Sequence, residues 1–459
     1  MIDINNKSKI DIMDKRVSII GLGKSGTEAA KLANHLGAKV FGSDLKSDKK
    51  INFNSMELME NHIPSETGIH TDKIYEADLW VISPGIPKNS GIIQKANKYK
   101  IPIVGEIEFA SWFAKYPIVA VTGSNGKTTS THILSAICQT ENFKGIMGGN
   151  MGTPFSKIVL NDLKRPNEKR IYILEISSFQ MEFITHFSPF IAVYTNISPD
   201  HLDRHKTMKE YLKMKMEMVK NLNSSGYIVY NYDDMTLKKI FQNEYKNTIP
   251  FSIKKKNTLF YIKDYKIHNQ DKTTLNIDKL DISGDHNISN LLAAATASHM
   301  LGVSNEEIFK IIATFKGVEH RLEFVAEINQ VKFINDSKAT NIESVIVAIK
   351  SFSKPIILIL GGLNKGADFR LLLPHIKSSH VRDIVSFGDA GGQINTALGD
   401  AVRSVKVTDL SSAVKIAHSM AAPGDIILLS PGCASFDAFE DFEERGKHFK
   451  QIIKNLETK

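Results

Sequence analysis

The apolar run Ile118-Val119-Ala120-Val121 leads straight into Thr122-Gly123-Ser124-Asn125-Gly126-Lys127-Thr128-Thr129, and a helical stretch follows to about Gln139. A buried strand that hands a glycine-rich turn to a helix N-terminus is built to grip phosphate. Closely spaced glycines let backbone N–H groups turn inward with no Cβ in the way. The helix N-terminus adds partial positive charge. Lys127 is then placed to reach β- and γ-phosphates, and the Thr128 hydroxyl to ligate Mg²⁺. The usual loop of this kind has four residues between its glycines; here two separate Gly123 from Gly126, so the match is to a shortened version. The bland alternative is a structural turn with a chance Lys-Thr, and the correctly placed strand and helix weigh against it.

Around this unit the chain reads as three α/β blocks, at 1–115, 116–318 and 319–459. In the first, Arg16–Ile20, Lys39–Gly42 and Asp78–Ile82 are strand-like, with a helical stretch Thr27–Leu36 between the first two. Strand, helix, strand at this spacing gives a parallel sheet. In the second, Ile171–Leu174 and Ile191–Tyr194 join the strand before Gly123, and Ser304 with Glu307 has capping-box spacing. In the third, Val331–Ile334, Ile356–Leu360, Ile384–Phe387 and Ile426–Leu429 alternate with helical stretches. The stretch from about 245 to 283 is less regular and lysine-rich, and reads as an elaborated edge of the central block.

The 459 residues suit about three domains. The net charge of +8 invites a nucleic-acid reading. Lysine supplies nearly all of it, spread along the chain with no clustered stacking aromatics, so a solvated surface is the better explanation. An anionic substrate would still be drawn in. Cys138 and Cys433 are too few for a disulfide framework or a cysteine-rich zinc site. No apolar run approaches the roughly 18–20 residues of a membrane span. The polar N-terminal stretch does not read as a secretory signal, so a cytoplasmic protein is expected.

Other strand ends carry chemistry. Gly21-Leu22-Gly23-Lys24-Ser25-Gly26, followed 18 residues later by Asp44, has the form of a dinucleotide fingerprint and serves any nucleotide diphosphate, a UDP-sugar included. Glu175, in Glu175-Ile176-Ser177-Ser178-Phe179-Gln180, ends a strand beside the phosphate loop and is placed to hold Mg²⁺; a helix-N-terminal Glu is the alternative. Asn196 to His205 packs His201, His205, Asp200 and Asp203 into six residues, which suggests metal or phosphate chemistry without zinc spacing. In the third block, Asn335–Asn341, Gly361–Lys365 and Ser430–Ser435 sit at strand ends and together outline a second ligand cleft, although each alone could be a turn.

TGSNGKTT, LEISSFQ, NISPDHLDRH, HN-x-x-N, EHRLE and NDSKATN, in that order, resemble the Mur ligase family, and the resemblance runs from GLGKSG to SPGCASFDAFEDFEERG. Within the family the pattern is similar to the members that add D-glutamate to UDP-N-acetylmuramoyl-L-alanine. The resemblance implies an N-terminal Rossmann-like UDP-binding domain, a central P-loop ATPase domain and a C-terminal Rossmann-like domain that takes the amino acid. It implies ATP-dependent amide formation through an acyl phosphate in peptidoglycan precursor synthesis, two Mg²⁺ ions, and a monomer without nucleic-acid or membrane partners.

The resemblance also implies roles residue by residue. Lys24, Ser25, Ser83, Pro84 and Gly85 would line the UDP diphosphate, with Asp44 near the uridine and Asn150 in the substrate site. Gly123, Ser124, Asn125, Gly126, Lys127, Thr128 and Thr129 would hold ATP phosphates, with Asn290, Arg321 and Asp336 on the nucleotide side and Lys338 in the same motif as Asp336. Thr128, Glu175, His201 and Lys215 would serve the metals, with Lys127, His201 and Lys215 catalytic and Lys215 carbamylated; nearby Lys213 is the competing register. Thr340, Lys365, Ser435, Phe436 and Phe442 would form the D-glutamate pocket. Gly432, where many relatives have alanine, and Leu363-Asn364, where an acid is common, weaken the acceptor assignment. A paralogue adding another amino acid, a folate polyglutamate ligase, a nicotinamide-dependent oxidoreductase using GLGKSG and a non-catalytic nucleotide binder are the alternatives. The oxidoreductase leaves TGSNGKTT and LEISSFQ unexplained, and the non-catalytic binder predicts tight ATP binding without turnover.

Overall fold

The computed structural model describes residues 2–4, 7, 10–165, 169–269, 271, 273–277, 280 and 284–457. The chain divides into two compact units, 1–280 with 287–315 and 281–286 with 316–459. Three main sheets, two in the first unit and one in the second, give the three-domain α/β class expected.

The first sheet is β1 (Arg16–Ile20), β2 (Lys39–Asp44), β3 (Ser65–Thr67), β4 (Leu79–Ile82) and β5 (Ile103–Gly105), all parallel, in the order β3-β2-β1-β4-β5. Chain direction across the sheet reverses between β1 and β4, so a ligand crevice is expected at their carboxyl ends. The glycine-rich turn follows β1 and Ser83-Pro84-Gly85 follows β4, one on each side of that crevice.

The second sheet is β6 (Ile118–Thr122), β7 (Lys144–Gly149), β8 (Arg170–Glu175), β9 (Ile191–Tyr194), β10 (Tyr227–Asn231) and β11 (Thr248–Phe251), parallel throughout, in the order β11-β10-β9-β6-β8-β7. β6 is buried along its whole length, as a strand covered on both faces must be, which is why it reads as unbroken apolar sequence. Its neighbours deliver Glu175 on one side of the phosphate loop and Thr195-Asn196 on the other. The irregular stretch after 245 supplies β11 and then an antiparallel meander of β12 (Phe260–Lys263), β13 (Lys266–Asn269) and β14 (Thr274–Asn276). Residues 270, 272, 278, 279 and 281–283 of that stretch lie outside the described residues.

One apolar core serves both sheets of the first unit, running from Leu32 and Ala33 through Phe109, Phe155 and Tyr172 to Tyr194. Each large side chain buried this way contributes roughly 1.5–3 kcal/mol. The helix Glu106–Phe113 links the sheets. Glu108 accepts the backbone N–H groups of His186 and Phe187 at 2.7 Å each, and Glu106 accepts that of Ser156 at 2.6 Å.

The third sheet is β15 (Glu323–Ile328), β16 (Val331–Asn335), β17 (Ile356–Gly361), β18 (Val381–Phe387), β19 (Arg403–Lys406) and β20 (Ile426–Leu429), in the order β15-β16-β20-β17-β18-β19. Only β15 is antiparallel. Separate apolar clusters cover its two faces. No helix among the described residues is long and apolar enough to cross a membrane.

Candidate active site

The turn after β6 is laced to the turn after β9. Asn196 Oδ1 accepts the N–H of Asn125 at 2.9 Å, and Thr195 Oγ1 donates to Asn125 O at 2.6 Å. Ser124 Oγ donates to Ser198 O at 2.8 Å and lies 3.0 Å from Tyr211 Oη. Gly126, with φ of +81°, opens the helix Lys127–Ile137, and a Cβ there would sit 2.2 Å from Asn290 Oδ1. Asn290 is thereby placed against the loop from the helix Asp285–Met300. Thr129 is buried in the first turn of the loop's helix. Lys127 Nζ donates to Gly123 O at 2.8 Å and Ser124 O at 2.7 Å, so contact with a phosphate requires it to exchange these carbonyls.

Glu175 gathers two expected residues. Its carboxylate accepts the Thr128 hydroxyl at 2.5 Å and the Asn150 amide at 2.8 Å. Lys24, from the first sheet's helix, donates to Gly152 O at 2.7 Å, two residues beyond that asparagine. Among the described residues no group of three or more His, Cys, Asp or Glu side chains could hold a metal ion. One carboxylate and one hydroxyl beside a phosphate loop nevertheless fit Mg²⁺, which takes phosphate oxygens and keeps its waters.

Lys215 is 1% exposed, whereas Lys213 faces solvent, so burial separates the two registers. Both lie in the helix Met208–Met216, where residues 211 and 215 share the inward face. Lys215 Nζ donates to Gly123 O at 2.8 Å and lies 4.7 Å from the centroid of the Tyr211 ring. Burial, then the charge of Lys127, hold its amine well below the usual lysine range; Asp200 and Glu175 oppose this. His201 adopts a left-handed φ of +52° just before the helix Leu202–His205. Its Nε2 is 3.5 Å from Asp200 Oδ2, and its ring meets Phe179 edge-on at 4.7 Å.

In the first sheet, Gly21 has φ of +93°, and a Cβ there would be 2.6 Å from Ser83 Cβ, which brings the glycine-rich turn against Ser83-Pro84-Gly85. Ser25 is half-buried in the helix that follows. The two carboxylate oxygens of Asp44 accept the N–H groups of Leu22, at 2.7 Å, and Lys46, at 2.8 Å. This residue therefore fixes the turn, a task the spacing alone did not reveal.

In the second unit, Asp336 is buried and accepts from Leu322 N and Ser430 Oγ, with Arg321 Nη1 at 3.8 Å. Burial pushes its carboxyl up to about 6 against the opposing charge of Arg321. The three polar loops follow the adjacent strands β16, β20 and β17. Lys365 lies over the Phe436 ring at 4.8 Å, Ser435 is buried, Thr340 is exposed, and Phe442 is half-buried under Lys338. Arg445 was not singled out in the sequence. Fully buried, it donates to Ser337 Oγ and O, Gly361 O, Cys433 O and Ala434 O, and so ties all three loops together. Its position opposite these loops is set by the fold of the helix Phe442–Glu457, and no local spacing signals it.

Three family descriptions match in order: MurD N-terminal domain over residues 16–92, Mur ligase middle domain over 121–298, and Mur ligase, glutamate ligase domain over 320–433. The chain is 38% identical to the UDP-N-acetylmuramoylalanine--D-glutamate ligase of Christiangramia forsetii, covering 97% of this chain and 100% of that protein. It is 37% identical to the protein of the same name from Clostridioides difficile, with the same coverage. Among solved structures it resembles UDP-N-acetylmuramate-alanine ligase MurC of Thermotoga maritima, with a TM-score of 0.62 at 18% identity over 97% of this chain and 100% of that one. It also resembles MurF ligase of Thermotoga maritima in complex with ADP, with a TM-score of 0.62 at 17% identity over 99% and 98%. With full-length relatives at this identity and a matching domain order, the chain belongs to the Mur ligase family.

Proposed function

We propose that this protein joins the amine of D-glutamate to the alanine carboxyl group of UDP-N-acetylmuramoyl-L-alanine, with ATP as phosphoryl donor, in cytoplasmic peptidoglycan precursor synthesis. The full-length relatives that bear this activity in their names support the reading. The observation that carries it is the gathering of Lys127, Thr128, Glu175 and Lys215 around one phosphate loop. A carboxylate is a poor electrophile with a poor leaving group. Its oxygen attacks the γ-phosphorus, ADP departs, and an acyl phosphate results. The amine of D-glutamate then attacks the acyl carbon, inorganic phosphate leaves and the amine loses its proton.

In this reading the loop residues Gly123 to Thr129 hold the phosphates, and Asn290, Arg321 and Asp336 serve the nucleotide. Lys127 neutralises charge that builds between the β- and γ-phosphates. Thr128 and Glu175 would hold one Mg²⁺, and His201 with Lys215 would serve a second; Mg²⁺ bound there would supply screening of the clustered phosphate charge. Lys215 is carbamylated. Its unprotonated amine, the form that burial and the charge of Lys127 favour, adds to carbon dioxide and releases a proton, and the carbamate would supply an anionic oxygen ligand. Lys24, Ser25, Asp44, Ser83, Pro84, Gly85 and Asn150 face the sugar nucleotide, and Thr340, Lys365, Ser435, Phe436 and Phe442 face D-glutamate. The domains are 1–115, 116–318 and 319–459, and the protein works as a monomer without nucleic acid or membrane. The test is phosphate release from ATP with UDP-N-acetylmuramoyl-L-alanine and a panel of amino acids. Release that requires D-glutamate is expected; release only with another amino acid would reassign the acceptor.

A further inference from the structure

Arg204 stands one turn beyond His201 in the helix Leu202–His205, and its side chain reaches from the second sheet's loops to the first. Nε and Nη2 hold the two carboxylate oxygens of Glu182 at 2.9 and 2.8 Å. Nη1 and Nη2 also donate to the carbonyl oxygens of Gly85 and Ile86 at 3.3 and 3.1 Å. The guanidinium lies 4.7 Å from the centroid of the Phe179 ring, and that same ring meets His201 edge-on. The side chains of Arg204 and Glu182 are only 15% and 7% exposed. One planar fork thus binds the loop after β4, the segment after Glu175 and the turn that carries His201. A lysine ammonium at this place could not satisfy a bidentate carboxylate and two carbonyls together.

We propose that Arg204 is a positioning residue that locks the Ser83–Gly85 loop to the His201 turn, so that the sugar nucleotide and the phosphoryl-transfer groups share one frame. The inference rests on the reading of the site given above. The substrate is gripped at its nucleotide end by loops of the first sheet, while its carboxylate must meet the γ-phosphorus over loops of the second. Relative displacement of the two grips is lost orientation, which costs about 100-fold in rate for a misplacement near 1 Å. Arg204 joins the grips directly, and Glu182 holds the fork at the angle that reaches Gly85 and Ile86.

The experiment compares the wild-type protein with Arg204→Lys, Glu182→Gln and the double variant, each first checked for an unchanged thermal midpoint of the ATP-bound form. Turnover is measured against each substrate, and affinity for ATP and for UDP-N-acetylmuramoyl-L-alanine by calorimetry. For Arg204→Lys, kcat/KM for the sugar nucleotide is expected to fall by about 10–100-fold, with ATP affinity and the D-glutamate KM within about twofold of wild type. Glu182→Gln is expected to move in the same direction, and the double variant to be no worse than the worse single, because the two act as one unit. Retention of the sugar-nucleotide kcat/KM within about twofold in Arg204→Lys would overturn the proposal. So would an equal loss of ATP affinity, which marks a merely structural ion pair. If the wild type turns over none of these substrates, the function assigned above fails instead, and the relative calorimetric affinities for the sugar nucleotide still decide the role of Arg204.

Discussion

Lys127 and Lys215 donate to the same acceptor: each Nζ lies 2.8 Å from the carbonyl oxygen of Gly123. Lys215 is the buried member of the pair, and burial, then the charge of Lys127, holds its amine well below the usual lysine range. Conversion of the Lys215 amine to a carbamate would place an anion beside the Lys127 ammonium, an attraction in place of the repulsion between two ammonium groups.

Replacement of Lys215 follows from this. Lys215→Ala is expected to reduce turnover by at least about 100-fold, the cost of losing a preorganised charge at the reacting phosphate. A short carboxylate such as formate should restore part of the rate by filling the space with an anionic oxygen. Lys213→Ala, at the exposed neighbour, should leave turnover near wild type. Steady-state kinetics with and without formate checks all three, and full activity of Lys215→Ala would remove the carbamate from the mechanism.

Gly126 is the position in the phosphate loop where the backbone demands glycine. Its φ of +81° strains any other residue, and a Cβ would meet Asn290 Oδ1 at 2.2 Å. Gly126→Ala is expected to lower ATP affinity by at least about tenfold and to lose roughly 1–3 kcal/mol of stability. Adding Asn290→Ala relieves the clash but not the strain, so it should recover part of the stability and none of the affinity. Calorimetry with ATP, paired with thermal unfolding of the same variants, separates the two effects.

The sequence was most legible where one strand hands a motif to one helix. TGSNGKTT lies between β6 and its helix as expected, and GLGKSG likewise after β1. The short or polar strands were not visible. β3, Ser65-Glu66-Thr67, holds only three residues, and β7 contains three glycines, so neither carries a usable periodicity. Long-range partnerships were equally hidden. Nothing near Glu182 in the chain announces Arg204, and nothing near Ser337 announces Arg445, because each pair is made by the packing of separate elements. Lys215 was reachable only through family resemblance, since a lysine in a helix with Lys213 beside it otherwise reads as a solvated charge.

Arg445 gives the second unit its own test. Burial pushes its guanidinium down to about 10, still charged at neutral pH, and its donors are spent on backbone oxygens and one hydroxyl of three loops. Arg445→Met would strand those acceptors, at roughly 2–5 kcal/mol in total. Arg445→Lys keeps the charge but not the fork. It is expected to fold and to raise the KM for D-glutamate by about tenfold, more than it changes kcat, because Lys365, Ser435 and Phe436 hang from the loops it ties. Initial-rate measurements with D-glutamate as the varied substrate check this; an unchanged KM would mean that the loops hold their shape without it.

Glu106 makes the joint between the first two sheets sensitive to pH. Its carboxylate accepts Ser156 N at 2.6 Å, yet complete burial outweighs that bond and pushes the group from the ordinary 4.5 up to about 7. The folded state therefore binds the proton more tightly than the unfolded chain. The resulting stability is fully present below about pH 4.5 and is lost as pH rises through about 7, with a ceiling of roughly 3 kcal/mol. Glutamine at this place keeps a carbonyl oxygen for Ser156 and never ionises. Glu106→Gln should thus match wild type near pH 5 and exceed it in stability at pH 8, whereas the opposite order at pH 8 would mean that the ionised carboxylate is the favoured partner of the Ser156 amide. Urea unfolding of both proteins at the two pH values distinguishes these outcomes, since every other titrating group is common to the pair and cancels in the difference.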